Sequence, residues 1–478
     1  MSRVRGAEQH SATYYFLIDY VFPSLWYGTN IAIIYMSFKY FALVFGSLGL
    51  LLTIIAVSAT AGLGWLVESG NVGAALMAPA FVCEPGDWER LAGGGGGGDG
   101  RTGNKASTSL TRSESMSASL GDDDSLPGIS VLKPLCGVDS MLETNLETFF
   151  QLEYPEAKFE LVFSVTEATD PALEVVRSLM VKYPKVHASI VVADPQVGYN
   201  PKLNNLIVPF DRAEFDLCLC SDSNVYAEPD LLTLFASEFD DDVGFLHQMP
   251  VVSKPGSWGA WLEYTYVNAT ILPMFIVGTL TPFPCVWGKS FAIRRSDVNS
   301  PHIGGLASFG NCIAEDLAIS TAMHAMRLRV KLMRRTVVQR LGVWSFTQFW
   351  ERSTRWLKYR KAMGVVMGGF TLEWVFYGPV IALFAGLSWA WLMGGSFVLP
   401  ALSAFALLGL LAYAFVRHID NTLAGPPSPL RFAASWIAVQ ALLIPMWITV
   451  MLSRRDLQWR GKAITLAPNS HLPVKKER

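Results

Sequence analysis

The chain has little charge for its length. Charged residues make up 16% of its 478 residues, against about 25% in typical soluble proteins. Lysine and arginine number 38 and aspartate and glutamate 40, so the net charge is −2 and there is no positive excess to attract nucleic acid. Hydrophobic residues reach 51%. This composition excludes a general nucleic-acid binder and favours an integral membrane protein.

Cysteine is also scarce and scattered. The six cysteines include no Cys-x-x-Cys pair, and none has a histidine at the spacing of zinc ligands. The pattern therefore predicts neither a zinc site nor a disulfide framework, and we expect mostly reduced, structural thiols.

Charge is missing altogether from a long N-terminal stretch. Residues 41–67 contain no charged side chain, and as a helix they would extend ~40 Å, more than the ~30 Å of a bilayer core. They predict a membrane span within an N-terminal anchor, residues 1–70, that is retained as a signal anchor. The uncharged segment 20–38 is open between a second span and an interfacial segment.

A compositional break follows the anchor. Residues 91–127 contain six consecutive glycines, then serine and threonine, then three consecutive aspartates. Such a segment cannot bury apolar surface, and no Gly-Lys-Ser/Thr sequence follows the glycines as in a phosphate-binding loop. It predicts a disordered linker.

A second uncharged region lies near the C-terminus, within residues 371–453. It is long enough for three membrane spans, predicted at about 374–395, 397–416 and 432–452. A basic tail, 454–478, follows. Three spans would place this tail opposite the catalytic domain, against the positive-inside tendency, so the alternative is that one segment is re-entrant.

Between the anchor and these spans, residues 128–345 alternate short apolar runs with helical patterns. Strands are predicted at 129–135, 159–165, 190–193 and 216–220, and helices at 139–152, 171–183 and 228–239. The alternation is typical of a mostly parallel sheet covered by helices, an α/β Rossmann-like domain. In such sheets ligands bind beyond the carboxyl ends of the strands.

Three aspartates lie at such places, and each has a simple structural alternative. Asp170 lies in a polar turn before a predicted helix, where it suits an N-cap. Asp222 directly follows a predicted strand, and its carboxylate with the Asn224 oxygen could hold a divalent ion or merely form a turn. Asp316 follows Glu315 at the start of a predicted helix, where acidic residues also favour the helix dipole.

An Arg-x-x-Arg-Trp motif follows in the region 346–370, predicted to be an interfacial helix. Arg352 and Arg355 are three residues apart and would share one helix face, beside Trp356. Two guanidinium groups and an indole suit a diphosphate and a sugar ring. A basic and aromatic cluster at a membrane interface is the alternative.

In this order, the three aspartates and the Arg-x-x-Arg-Trp motif resemble the pattern of inverting glycosyltransferases of families 2 and 21. Residues 130–135, 137–139, 145–150 and 200–206 are similar to the ceramide glucosyltransferase family in particular. The resemblance covers about 128–360. It implies a GT-A fold, UDP-glucose as the donor and a Mg²⁺ or Mn²⁺ ion.

The resemblance also implies roles for individual residues. Asp170 would contact the uridine side of the donor, Asp222 the metal and diphosphate, and Asp316 would be the general base. Arg352, Arg355 and Trp356 would act at the leaving diphosphate. The other implied donor-binding residues are Gly198, Asn200, Lys202, Asn224 and Gly305.

Two features of the sequence bear on the metal and the acceptor. Asn224 stands where the related Asp-x-Asp motif has its second acid, so metal dependence is less firmly implied. Residues 268–287 are apolar and uncharged but interrupted by three prolines, which a membrane span tolerates poorly. They predict an interfacial or re-entrant lip for a lipid acceptor, with a buried core segment as the alternative.

The sequence thus predicts a membrane-bound enzyme that moves glucose from UDP-glucose to the primary hydroxyl of ceramide, giving β-glucosylceramide. The expected partners are a lipid acceptor, a UDP-sugar and the membrane, without nucleic acid. Alternatives are another UDP-hexose, a hopanoid or sterol acceptor, a processive polysaccharide synthase, and a non-catalytic lipid-binding scaffold. The expected location is the Golgi or endoplasmic reticulum membrane with a cytosolic catalytic domain, or the inner membrane in a bacterium.

Overall fold

The structure of this protein is a computed structural model, which describes residues 126–279, 286–362, 377–421, 427–453, 456–459 and 462–465. The predicted N-terminal anchor, nearly all of the predicted linker and most of the basic tail lie outside the described residues. By contacts the chain divides into two units, residues 1–62 with 373–415 and residues 63–372 with 416–478. The second unit contains all of the predicted catalytic residues.

The four predicted strands lie close to their predicted positions, as the first four of the strands that the structure describes. The described strands are β1 (Ile129–Pro134), β2 (Phe159–Val165), β3 (Ala188–Val192), β4 (Leu217–Ser221), β5 (Val225–Tyr226), β6 (Val243–His247), β7 (Pro250–Pro255), β8 (Ser290–Arg294), β9 (Arg329–Leu332), β10 (Val337–Gly342), β11 (Asp456–Trp459) and β12 (Lys462–Thr465).

The helices alternate with the strands in the first half of the sheet, as the pattern predicts. They are α1 (Leu142–Phe150), α2 (Ala172–Lys182), α3 (Pro201–Arg212), α4 (Leu231–Glu238), α5 (Trp258–Tyr266), α6 (Leu272–Thr279), α7 (Arg295–Val298), α8 (Glu315–Ala325), α9 (Phe346–Ala362), α10 (Gly378–Met393), α11 (Val398–Asn421) and α12 (Pro429–Leu452).

The main sheet has seven strands in the order β3-β2-β1-β4-β8-β6-β9. The pairs β1–β2, β2–β3, β1–β4 and β6–β9 are parallel, as expected. The sheet is nevertheless mixed, because β8 inserts antiparallel between β4 and β6. The chain reaches β8 from α5 and α6, so it enters the sheet from the opposite direction to β4. This insertion brings the start of β8 to the carboxyl end of β4.

The core lies on both faces of the central strands. Every residue of β1, β2 and β4 is buried, as in parallel strands covered by helices on both sides. One polar member of these strands, Lys133, is fully buried and points its ammonium group toward the carboxyl end of β4. Burying a lysine costs free energy unless its N–H donors are satisfied. The buried Lys133 therefore indicates that polar groups gather at this end of the sheet.

A second sheet, β5-β10-β7, extends the carboxyl end of β4 toward α9. β10 pairs antiparallel with β5 and parallel with β7. Because β5 begins three residues after Asp222 and β10 ends shortly before α9, this small sheet joins the Asp222 turn to the Arg-x-x-Arg-Trp helix.

Helices α5, α9 and α12 pack against one another below this small sheet. The Thr265 and Ser435 hydroxyl groups are 2.6 Å apart between α5 and α12. Lys361, on α9, donates to the backbone carbonyls of Val450, Met451 and Ser453 at the end of α12. A lysine at a helix C-terminus satisfies carbonyls that have no partner within the helix. The motif helix is thereby fixed to an apolar C-terminal helix.

The predicted C-terminal spans coincide with α10, α11 and α12. Within the described residues, α11 over 398–419 and α12 over 429–452 are long and apolar enough to cross a bilayer, judged by length and composition. The 16 residues of α10 extend about 24 Å, less than a typical hydrocarbon core. A span at 374–395 therefore stays a prediction, since residues 374–376 lie outside the described part.

The predicted acceptor lip begins inside the protein. Residues 267–271 form a short π-helix between α5 and α6, in which the Asn268 amide bridges the backbone N–H and carbonyl of Val252. Asn268, Ile271 and Leu272 are buried. The first third of this segment is thus part of the core, which was the alternative interpretation. Residues 280–285 are outside the described residues.

Candidate active site

Asp222 lies at the carboxyl end of β4, where the order of the strands brings several charged groups together. Its Oδ1 is 3.0 Å from Lys202 Nζ, and its Oδ2 is 2.9 Å from Lys289 Nζ. Lys202 also contacts Glu315 at 3.0 Å. We call Asp222, Lys202, Lys289 and Glu315 the Asp222 cluster. Its side chains are between 7% and 24% exposed, so these charges interact through little water.

The balance of burial and charge shifts the pKa values in the cluster. Burial by itself raises the pKa of Asp222, but the positive charges of Lys202 and Lys289 outweigh it and hold this pKa far below its usual range. Burial lowers the pKa of Lys289 to about 8, against the attraction of Asp222. Burial opposes the charge of Lys202 as well, yet the surrounding carboxylates raise its pKa. Asp222, Lys202 and Lys289 are therefore ionised at neutral pH.

Lys202 is fixed by the start of α3. Asn200 is the N-cap of this helix and accepts from the backbone N–H groups of Lys202 and Leu203, and Pro201 occupies the first turn. The other end of the Asn200 amide donates to Cys312 O and to Glu315 Oε2. Asn200 and Lys202, both predicted to bind the donor, therefore hold α3 against the start of α8.

The base candidate, Asp316, lies on the other side of Glu315. Its Oδ1 accepts from Leu317 N at 2.9 Å, and a β-carbon at Gly288 would approach its Oδ2 to 2.8 Å. Burial, followed by the negative charge of Glu315, raises the pKa of Asp316 to about 7, although Lys202 opposes this. A carboxylate with a pKa near neutrality is suited to accept a proton in a reaction at neutral pH.

Lys133, on β1, supports the Asp222 turn. This lysine was not identified from the sequence. Its ammonium group donates to Ser221 Oγ at 3.1 Å and to Asp222 O at 2.7 Å, and it lies 3.6 Å from the centre of the Phe149 ring. Burial lowers the pKa of Lys133 well below its usual value. Its place in the 130–135 segment was the signal available in the sequence.

Arg352 is more deeply enclosed than its predicted role suggests. The side chain is 7% exposed, and its Nη1 lies 3.2 Å from Glu263 Oε1, a carboxylate with no exposed surface. The guanidinium group also contacts Gln339 and lies 4.5 Å from the Trp356 ring and 5.2 Å from the Trp344 ring. Its direct partners are thus Glu263, Gln339 and two tryptophan rings, while its charge interacts with Asp222 through space.

Glu263 was not found from the sequence, because nothing local distinguishes it in an apolar helix. Burial raises the pKa of Glu263, and the charges of Arg352, Lys289 and Arg355 oppose this. Both arginines of the motif therefore interact electrostatically with one buried carboxylate. Lys289 interacts with the same carboxylate and is a member of the Asp222 cluster, so it connects the two groups of charges.

An aromatic wall runs from α6 to the motif helix. Phe275 and Trp287 have ring centres 4.7 Å apart, and Trp287 meets Trp356 edge-on at 5.7 Å. Trp287 directly precedes Gly288, the residue against which Asp316 packs. The rings of Phe275 and Trp287 therefore connect the apolar segment to Asp316, the candidate base.

Asp170 has the partners of a structural cap. Its two oxygens each accept from Gly137 N at 3.0 Å, and Oδ1 also accepts from Ala172 N in the first turn of α2. It lies at the carboxyl end of β2, two strands from β4. The carboxylate ties the turn after β1 to the start of α2, at the same edge of the sheet as Asp222.

The two predicted glycines have different surroundings. A β-carbon at Gly198 would lie 2.2 Å from the Gly310 backbone, so only glycine allows this close approach. Gly305, with φ of +93°, donates to Val298 O, and a β-carbon there would lie 3.4 Å from Asn299 Oδ1. Its contacts are thus within its own loop and not with the Asp222 cluster, whereas Gly288, which was not predicted, contacts Asp316.

Asp222 and Asn224 are the residues that suit a divalent ion. A carboxylate and an amide oxygen are donors that Mg²⁺ and Mn²⁺ accept, and both oxygens converge on one point, where Lys289 Nζ lies 3.1 Å from Asn224 Oδ1. Among the described residues, one group of three possible metal ligands occurs elsewhere, Glu160 with His187 and Glu214. These lie at the amino ends of strands, the edge opposite to Asp222.

The profile of glycosyl transferase family 21 matches residues 105–472 of the chain. Ceramide glucosyltransferase 3 of Caenorhabditis elegans is 28% identical over 350 residues, covering 72% of this chain and 74% of the relative. Ceramide glucosyltransferase 1 of the same organism is 31% identical over 243 residues, covering 50% and 51%. Among solved structures, a mannosyltransferase from Pyrobaculum calidifontis has a TM-score of 0.38 at 15% identity, covering 84% of this chain and 99% of that one.

Proposed function

The chain belongs to glycosyl transferase family 21, and from this membership we propose that it transfers glucose from UDP-glucose to the primary hydroxyl of ceramide. The observation that carries the proposal is the arrangement at one edge of the sheet. Lys289, a cation for a diphosphate, and Lys202, which holds Asp222 and Glu315, stand beside a carboxyl group with a pKa of about 7, Asp316. Donor binding and proton removal need these two features next to each other.

The reaction would be a single displacement. As the acceptor hydroxyl attacks the anomeric carbon, Asp316 takes its proton, a new carbon–oxygen bond forms, and the bond from that carbon to the diphosphate oxygen breaks. UDP leaves with the electron pair of the broken bond. One displacement inverts the anomeric centre, so an α-linked donor gives a β-glucoside.

The positive groups around Asp222 would stabilise the departing UDP. Charge that develops on a leaving diphosphate is best stabilised by cations already fixed in place. Arg352 is fixed by Glu263 and by two tryptophan rings, and we propose that it and Arg355 supply positive potential on this side. Asp222 and Asn224 offer the oxygen ligands that a Mg²⁺ or Mn²⁺ ion would use, and the positive charge that such an ion would supply to the diphosphate can also come from a fixed cation.

The uridine and the sugar would lie on either side of Asp222. Asp170 sits at the same edge two strands away and orders the turn after β1, which supports a place beside the uridine. Gly198 and Asn200 lie at the start of α3, next to Lys202. We propose that Gly305 also contributes to donor binding, because the helical turn Leu306–Phe309 that follows it leads toward α8.

A lipid acceptor is supported by the apolar surroundings of the base. The rings of Phe275, Trp287 and Trp356 lead from α6 to the glycine beside Asp316. Helices α5 and α9 pack against the apolar helix α12, which would hold the site near a bilayer. We propose an integral membrane enzyme of the Golgi or endoplasmic reticulum, with the catalytic unit facing the cytosol, or of the inner membrane in a bacterium.

The test is a transfer assay with purified full-length protein in nanodiscs. UDP-glucose and UDP-galactose are each offered with ceramide, a sterol and a hopanoid, and products are separated by chromatography and identified by mass spectrometry. We expect glucosylceramide from UDP-glucose. Product on another lipid would keep the mechanism and change the acceptor, polymer formation would support a synthase, and no turnover of any donor would support a non-catalytic scaffold.

A further inference from the structure

The ammonium group of Lys289 occupies the point where the two metal-type oxygens converge. Its Nζ lies 2.9 Å from Asp222 Oδ2 and 3.1 Å from Asn224 Oδ1. The sheet fixes this placement, because Ser221 pairs with Ser290 in the antiparallel register of β4 and β8, and Asp222 N donates to Lys289 O. Lys289 therefore faces Asp222 wherever this register forms.

The two lysines at Asp222 differ in what their ammonium groups can still bind. An ammonium group has three N–H donors. Lys202 directs its donors to Asp222 Oδ1, Glu315 Oε1 and Gly288 O, at 3.0, 3.0 and 2.6 Å. Lys289 has two acceptors among the described residues, Asp222 and Asn224, which leaves one donor. Lys202 is saturated by the protein, whereas Lys289 keeps a donor for a ligand oxygen.

The charge at this point also favours a lysine over a doubly charged ion. Asp222 supplies one negative charge, and Asn224 supplies none. Two ammonium groups already lie within about 3 Å of the Asp222 carboxylate. Lys202 is shared with Glu315, whereas Asp222 is the one carboxylate paired with Lys289 among the described residues. The carboxylate that would hold a divalent ion is therefore already neutralised. An added ion would have to displace Lys289 from both oxygens or bind beside it, against its repulsion.

We propose that Lys289 is a built-in counter-cation for the donor diphosphate, so that the UDP-sugar binds to this chain without a divalent ion. The inference rests on the proposed function, because it requires a UDP-sugar donor. Lys289 stays on Asp222 and Asn224 and donates its third N–H to a phosphate oxygen. Lys202 holds Asp222 and Glu315 in place and makes no direct contact with the phosphate.

The test measures UDP binding by calorimetry to the full-length protein in nanodiscs, once with EDTA and once with Mn²⁺. For the wild type we expect dissociation constants that agree within about threefold. Lys289→Met frees Asp222 and Asn224 for an ion, so UDP binding should weaken at least about tenfold in EDTA and recover in Mn²⁺. Lys289→Arg retains the charge and should bind in EDTA. Lys182→Met, the same change on the exposed face of α2, is the matched control.

A second readout follows the ion itself. Titration of Mn²⁺ into the protein with UDP, monitored by paramagnetic resonance, should show one tight ion in Lys289→Met and none in the wild type. A wild type that binds UDP only with Mn²⁺ would overturn the inference and leave the proposed function standing. Lys289→Met that binds UDP equally in both buffers, or in neither, would also overturn it. A wild type that binds UDP in neither buffer would overturn the proposed function, and the inference with it.

Discussion

Replacing Asp316 with asparagine should make the protein more stable and nearly inactive. Asparagine has the shape of aspartate, fits against Gly288, and its side-chain oxygen can still accept from Leu317 N, as Asp316 Oδ1 does at 2.9 Å. The substitution removes only the ionisable proton site. Proton acceptance by a positioned carboxylate contributes about 10²–10⁴ in rate, so turnover should fall by that factor while UDP binding is kept.

The stability gain follows from the raised pKa of Asp316. The carboxyl group has a usual pKa of 3.8 and a folded pKa of about 7, a difference of about three pH units or about 4 kcal/mol. As pH rises from about 4 to about 7, the unfolded chain loses this proton and the folded protein retains it, so the wild type loses stability over this window. An asparagine at this position has no proton to lose and carries no such penalty. The variant should be more stable by about 2–4 kcal/mol above pH 7, and by almost nothing at about pH 4.

The assay is thermal unfolding of wild type and variant in the same detergent at about pH 4, 6 and 8, beside turnover and UDP binding. Asp242→Asn is the control, because Asp242 is exposed and its hydrogen bonds with Arg329 lower its pKa. That variant should gain no stability at any of these pH values and should keep its turnover. Wild-type turnover of Asp316→Asn would exclude Asp316 as the base, and a lower stability of this variant at pH 8 would contradict the raised pKa of Asp316.

Three further outcomes follow from the same contacts. The ratio kcat/KM should rise about tenfold per pH unit up to about pH 7, because only the ionised form of Asp316 accepts a proton, and a flat profile would exclude it as the base. Gly288→Ala places a carbon 2.8 Å from Asp316 Oδ2 and should lower kcat at least about tenfold with little change in UDP affinity, whereas unchanged kcat would remove this contact from the mechanism. Arg352→Met leaves Glu263 as an unpaired buried charge and should lower the free energy of unfolding by about 3–5 kcal/mol; adding Glu263→Gln should recover most of that loss, and no recovery would contradict the pairing.

The sequence predicted the elements and the edge of the sheet that carry the site. Apolar runs alternating with helical patterns gave β1, β2 and β4 to within a residue or two, because buried parallel strands leave a strong local signal. Asp222 follows β4 directly and Asp170 follows β2 after a short turn, so their common edge could be inferred from strand order. The family resemblance then supplied what spacing alone left open.

The contacts within the site could not be predicted in this way. Lys289 meets Asp222 across 67 residues, and this depends on β8 entering the sheet antiparallel, for which the local pattern carries no sign. Glu263 lies in an apolar helix, and its pairing with Arg352 depends on how α5 packs against α9. Lys133 was missed because a lysine within a predicted strand carries no local sign that its ammonium group is buried against the Asp222 turn. These groups are defined by packing between distant segments.

The role of Asp316 in glucose transfer is tested most directly by measuring transfer from UDP-glucose to ceramide with purified wild type and Asp316→Asn, side by side in one nanodisc preparation. We expect a hexosylceramide that a β-glucosidase cleaves, formed by the wild type and reduced by about 10²–10⁴ in the variant, with equal UDP binding by both. No hexosylceramide from the wild type, an α-linked product, or equal turnover by the variant would contradict this expectation.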